Sequence, residues 1–203
     1  MKVAELFEGP YHIGQDAPFV KAKSYPSLEG LQRENTLLGT LEKDGNEFHF
    51  WLSKTKGSAK VTVASKDDIG QDRQLVVVNL VFQGKVGLPV KNELQVNTVY
   101  TDPDFRTSWL AGALYIVLAR YDFAIVSDFQ QYNGGKALWK KLAKESDARN
   151  YAVRVWDDNQ EDWIKDEDGN PLKYTAANLA DDQIWLDISK HDEATTLLCL
   201  QHR

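Results

Sequence analysis

The chain has almost no cysteine: Cys199 stands alone, so an intrachain disulfide is excluded and a thiolate zinc centre lacks ligands. It also lacks any apolar run close to the roughly 18 residues of a membrane-spanning helix. The longest candidates, residues 75–82 and 110–119, are of core length. Residues 1–8 carry no apolar stretch behind Lys2, which argues against a secretory signal. No Lys/Arg stripe dominates, which disfavours a nucleic-acid partner. His12, His49, His191 and His202 have no metal-ligand spacing, and no metal is expected. There is no Gly-x-Ser-x-Gly elbow for a serine hydrolase. Asn133-Gly134-Gly135-Lys136 falls short of a phosphate-binding loop, with Ala137 where Ser or Thr is needed and Gln130 where Gly is needed. A cytoplasmic protein with no membrane contact is the expectation.

What is present fits one sizeable globular domain. The 203 residues are 42% hydrophobic and 27% charged, and six Trp, eight Tyr and eight Phe supply bulk for a core. The net charge of −6 is unevenly spread. Asp157, Asp158, Glu161, Asp162, Asp166, Glu167 and Asp168 face one lysine, Lys165. A solvated acidic connection over residues 157–182 is the plain reading of this stretch; docking to a basic partner is the alternative.

Residues 1–45 have the least regular pattern, punctuated by Gly9-Pro10, Pro18 and Tyr25-Pro26-Ser27, and are expected to be an irregular elaboration of a single domain over residues 1–203. Residues 48–52 and 60–64 flank a Lys/Gly/Ser turn and predict a hairpin. Residues 75–82 read as a strand buried on both faces. Residues 94–100 alternate, with Leu94, Val96, Thr98 and Tyr100 on one face. Asp102-Pro103-Asp104 then ends that strand and opens a helix in which Leu110, Ala113, Leu114 and Val117 mark one buried face. A short strand over 123–127 and a helix over 134–144 follow, with further strands at 151–156, 183–188 and 197–201. The order predicts an α/β or α+β layered domain: a mixed sheet with one parallel strand–helix–strand crossover.

The stretch that carries chemistry is V-Y-T-D-P-D-F-R-T-S-W-L-A-G-A-L-Y, from Val99 to Tyr115. A strand running straight into a helix leaves the first backbone N–H groups of that helix unpaired, and the dipole favours an anion there. Arg106 falls in or beside that first turn.

These residues resemble the GNAT acyltransferase superfamily, in which a strand and a Pro-containing turn lead into Arg/Gln-x-x-Gly-x-Gly/Ala at the start of a helix. Arg106 matches the first motif position and Ala111 the last, with Pro103, Phe105, Leu114 and Tyr115 fitting the flanks. The following F-A-I-V-S-D strand and G-G-K-A-L-W-K-K-L helix are similar to the family's next two elements, in a form that resembles phage or mobile-element members. The resemblance covers roughly residues 72–156. It implies a GNAT-like central mixed, mostly antiparallel sheet. It implies acetyl-CoA as co-substrate, held by the strand backbone at Val99 and Tyr100 and around the helix start by Arg106, Thr107, Ser108, Trp109, Leu110, Ala111 and Gly112. Two positions depart from the pattern. Trp109 stands where the central glycine belongs, and Trp139 where many members carry a tyrosine acid.

Acyl transfer needs a group to take the amine proton and one to protonate the leaving thiolate. Asp128, or Glu93 acting through water, is the candidate base, and Tyr132 the candidate acid. The plain readings are a turn cap for Asp128, a solvated strand end for Glu93, and packing for Tyr132, Tyr115 and Trp109. The expected function is transfer of an acetyl group from acetyl-CoA to an amine of a protein or small molecule, with a homodimer left open. The alternative is a catalytically inactive GNAT-derived binding module that engages a protein partner.

Overall fold

Tight turns build the first four strands. Strand β1 (Thr36–Lys43) and β2 (Asn46–Thr55) are joined by Asp44-Gly45 alone, both in the left-handed region with φ of 52° and 76°. Asp-Gly is the residue pair that a two-residue hairpin loop of this twist favours. The pair Lys43↔Asn46 closes the turn, and the register runs on to Thr36↔Leu52 with one irregularity between Leu37 and Gly39. Strand β3 (Ser58–Lys66) returns from β2 after Gly57, at φ 80°, and β4 (Asp72–Phe82) pairs antiparallel with β3. The hairpin expected between residues 48–52 and 60–64 is therefore present. The last ten residues of the supposedly irregular 1–45 segment are instead strand and turn; Asp44-Gly45 was the signal for it.

The structure is a computed structural model that describes residues 35–55, 57–66, 72–82, 87–105, 110–128, 133–146, 150–185 and 196–202. Its remaining elements are β5 (Glu93–Thr101), a 3-10 turn (Pro103–Phe105), α1 (Leu110–Arg120), β6 (Ala124–Val126), α2 (Asn133–Ser146), β7 (Tyr151–Asp157), β8 (Asp162–Trp163), α3 (Asp181–Ile184) and β9 (Thr196–His202). The strands form one open, mostly antiparallel sheet in the order β1-β2-β3-β4-β5-β6-β9-β7-β8. Among the pairings of the described residues the parallel one is β5 with β6, registered as Glu93↔Ala124, Leu94↔Ile125 and Gln95↔Val126. These two strands are connected through α1, as the sequence order predicts. Among the described residues no helix is long and apolar enough to cross a membrane.

The chain divides into two compact units. The described part of the first spans residues 35–82 and 96–117. One face of its strands is closed by Phe48, Phe50, Leu52, Val61, Val63, Val76, Val78 and Leu80, all buried. Each such side chain contributes on the order of 1.5–3 kcal/mol when taken fully from water. The α1 residues of this unit are buried almost all round rather than along the one expected stripe: Leu110, Ala113, Leu114, Tyr115 and Ile116 are at most 2% exposed. Its sequence, LAGALYIVLAR, offers no polar face before Arg120, and a helix apolar on every side belongs inside.

The second unit holds residues 87–95 and 118–202 of the described chain. Strand β9 lies between β6 and β7 and is antiparallel to both. Its run Leu197-Leu198-Cys199-Leu200 is wholly buried, as a strand flanked on both edges and covered on both faces must be. Helix α2 packs on β7 and buries Trp139, Leu142 and Ala143 while Lys144 stays exposed. The strand expected over 183–188 is absent from its start: Asp181–Ile184 form the short helix α3, with the Gln183 side chain accepting from the N–H of Ala180 at 2.8 Å. Residues 186–188 of that expectation lie outside the described residues.

The acidic connection leaves β7 and folds back on it. Asp157↔Asp162 and Trp156↔Trp163 pair β7 with β8, and an isolated bridge joins Arg154 to Lys173. The distal turn is Asp166–Asn170, and it closes where Pro171 pairs with Lys165. Glu161, Asp162, Asp166, Glu167 and Asp168 are exposed, as expected for a solvated acidic stretch.

Candidate functional site

In the first unit the site builds from the end of β5. Burial along this strand does not alternate as expected: Val96 is buried, then Asn97, Thr98 and Val99 are exposed, and Tyr100 and Thr101 half-buried. The pairing with β6 covers only the three residues at its start, and the strand runs six residues farther. Beyond it, Asp102 fixes the turn. Its N–H donates to Leu75 O at 2.7 Å, its Oδ1 accepts from Asp104 N at 3.1 Å, and its carbonyl accepts from Phe105 N at 2.8 Å. A buried aspartate that accepts from the amide two residues on is an Asx turn, which redirects the chain without a glycine. Sequence reading took Asp102 as punctuation only; its 5% exposure shows that it holds the turn from inside.

Of the residues expected to hold acetyl-CoA, Val99 and Tyr100 lie on the outer part of β5, with Val99 42% exposed. Leu110 and Gly112 are buried and Ala111 half-buried in the first turn of α1 that the structure describes. The Leu110 side chain, at 0% exposure, belongs to the core, so only its backbone is left for a ligand. Arg106, Thr107, Ser108 and Trp109 lie outside the described residues, as does Tyr132.

The two remaining candidates belong to the second unit. Glu93 opens β5 at 4% exposure, and its Oε2 accepts from Leu88 N at 2.9 Å. It is therefore not the solvated strand end that its position suggested. Asp128 follows Ser127 at the end of β6 and is half-buried. Ser127 is pinned twice to Leu198, its N–H donating to the carbonyl at 2.8 Å and its Oγ accepting from the amide at 3.0 Å. Glu93 is level with Ala124, four residues before Asp128, which is on the order of 13 Å at strand rise. One amine cannot touch both carboxylates, and the structure does not bring this pair together. Asp128 is the one at a strand's carboxyl end, where open sheets with crossover helices place their ligands.

Trp139, at 1% exposure, packs inside and presents nothing to a substrate. Tyr115, at 1%, is a core residue as its plain reading held.

Sequence reading passed over one sheet face of this unit. Register puts Arg154 opposite Cys199 and Cys199 opposite Val126. Leu88, Ala124, Val126, Trp156, Leu197 and Cys199 form an apolar cluster, with Val90 and Trp163 packed against it. Burial pushes the Cys199 thiol up to about 12, with the Glu93 charge adding to the rise and Arg154 opposing it. The thiol is therefore neutral and is no nucleophile near neutral pH. Arg154, an arginine inside the apolar run Y-A-V-R-V-W, was the sequence signal for this face. Set against known proteins, the chain matches no family model, no curated protein and no solved structure.

Proposed function

We propose that the protein is an acyl-CoA-dependent N-acyltransferase that moves an acetyl group from acetyl-CoA to an amine. The observation that carries the reading is the β5–α1–β6 connection. A strand ends in an Asp102-locked turn, enters an apolar helix and returns parallel to itself, in the part of the chain whose residues resemble the GNAT superfamily. In this reading the pantetheine arm lies along the outer part of β5, whose amides polarise the thioester carbonyl. The pyrophosphate meets the amides between residues 108 and 112, with Arg106 adding charge. The attacking amine gives its proton to a base as the amide bond forms, and the expelled CoA thiolate takes up a proton as the C–S bond breaks.

The test is calorimetry of CoA with the full chain. Wild type binds, and Arg106→Ala weakens binding by about 1.5–3 kcal/mol, the value of a hydrogen bond to a charged group. No binding at millimolar CoA to a folded wild type, with no CoA-dependent acylation of any amine, overturns the reading. A second reading, an inactive relative that binds a protein partner, is favoured by one observation: Trp139, at the position of the family's tyrosine acid, is closed in the core. It predicts CoA binding or none, but no turnover either way.

A further inference from the structure

Two hydrogen-bond donors on the Cys199 face of the second unit have no acceptor among the described residues. Arg154 and Trp156 are two residues apart on β7, so both side chains leave the same face of the sheet. The Trp156 indole is 4% exposed, and its Nε1–H has no partner among the described residues. Arg154 is half-buried, and its guanidinium has neither ion pair nor hydrogen-bond acceptor among the described residues. Burying an indole N–H and drying one side of a guanidinium without a partner is unfavourable twice over. The Trp163 ring holds the indole in place, edge to face at 5.3 Å and 84°.

The surroundings suit a small anionic ligand. Among the described residues the cluster on this face contains none from a helix, and Leu88, Val90 and Trp163 pack on it. The neutral Cys199 thiol beside Arg154 adds no negative charge. The one buried carboxylate on this face among the described residues, Glu93, is level with Ala124, has an oxygen held by the Leu88 amide, and stands three strand spacings (about 14 Å) from β7. Asp128 follows β6 two residues beyond Val126, and β6 lies two strand spacings (about 10 Å) from β7.

We propose that Arg154 and Trp156 bind the carboxylate of a small amine, so that the acceptor is an amino acid or a related carboxylate-bearing amine with its amino group towards Asp128. The guanidinium fork takes both carboxylate oxygens and the indole N–H a remaining lone pair. The fate of the amine rests on the acyltransferase reading; the carboxylate site does not.

The experiment follows the indole N–H resonance of Trp156 in the full chain, identified by its loss in Trp156→Phe. Glycine, β-alanine and γ-aminobutyrate are titrated without CoA, each against its methyl ester. The expected result is a saturable shift with at least one acid and none with its ester. Arg154→Gln weakens binding at least about tenfold, and Arg154→Lys restores part of it. Equal shifts with acid and ester, no saturable shift with any acid, or wild-type affinity in a folded Arg154→Gln or Arg154→Lys protein each overturn the site. Saturable binding with no acetyl transfer keeps the site and removes the catalytic reading. Transfer to these amines with KM unchanged in Arg154→Gln does the reverse.

Discussion

Asn92 and Asp122 are tied across the start of the parallel pair β5–β6: Asn92 Nδ2 donates to the Asp122 carbonyl at 3.1 Å, and both residues are left-handed, at φ 53° and 59°. The Asn92 carbonyl in turn accepts from Ala124 N at 3.2 Å. Two side chains that tolerate this backbone region thus set the level at which β5 and β6 begin.

Asn92→Ala loses the hydrogen bond and puts a residue that does not tolerate the left-handed region at φ 53°. The expected loss is about 1.5–3.5 kcal/mol in urea unfolding, from roughly 0.5–1.5 for the bond and about 1–2 for the backbone. Asn92→Gly should lose only the first part. Equal losses for the two variants would mean that strain at this position is not what asparagine relieves.

Asp166 is a turn residue rather than one more solvated charge. Its Oδ1 accepts from Asp168 N at 3.1 Å and Asn170 N at 2.9 Å. Asp166→Ala should cost about 1–2 kcal/mol by removing both bonds. Replacing Glu161, Glu167 and Asp168 by their amides together should stay within about 0.5 kcal/mol per site, as ordinary surface changes do. A melt in which the triple variant falls further than Asp166→Ala would show that the acidic stretch matters through charge and not through its turn.

Much of the sheet was legible because its signals are local. Residues 48–52 and 60–64 alternate around a glycine, and β9 is an uninterrupted apolar run. What escaped the sequence depends on partners far along the chain. Burial in β5 changes along its length rather than from face to face, because β6 flanks only its first three residues. The Gln183–Ile188 pattern reads as a strand, yet Gln183 spends its side chain capping Ala180, which starts a helical turn instead. Glu93 looks like a solvated end until Leu88 folds over to donate its amide. The candidate site was legible in its order along the chain and illegible in its geometry, since only pairing shows that Glu93 and Asp128 stand at different levels.

Cys199 and Tyr174 predict an alkaline limit. Both are at 0% exposure, and burial raises each to about 12, with Glu93 adding to the thiol's shift and Asp181 to the phenol's. A raised pKa in the folded state gives stability that is complete below the unfolded values, 9.0 and 10.0, and is lost as pH climbs to about 12. Urea midpoints should therefore hold to about pH 9 and then fall. In the native state at pH 8 Cys199 should resist alkylation and react only on unfolding. Rapid labelling of folded protein would contradict this burial.

Trp139 separates packing from chemistry. Trp139→Ala should destabilise by about 3–5 kcal/mol, the cost of emptying a large core position, and Trp139→Phe by much less. If Trp139→Phe folds as the wild type does but changes the turnover of any acylation reaction, the residue touches substrate after all.

Among the described residues the non-glycine positions with positive φ are Asp44, Asn92, Asp122, Asn150 and Glu161, and four of the five are Asn or Asp. This restriction outlives changes in core composition, since Leu, Ile and Val exchange at modest cost while a left-handed corner admits few side chains. A diverged chain with this sheet would share little overall identity with this one. It would still carry Asn, Asp or Gly at the corners before β2, β5, β6 and β7, spaced as here, and those four positions are the watermark by which kin could be found.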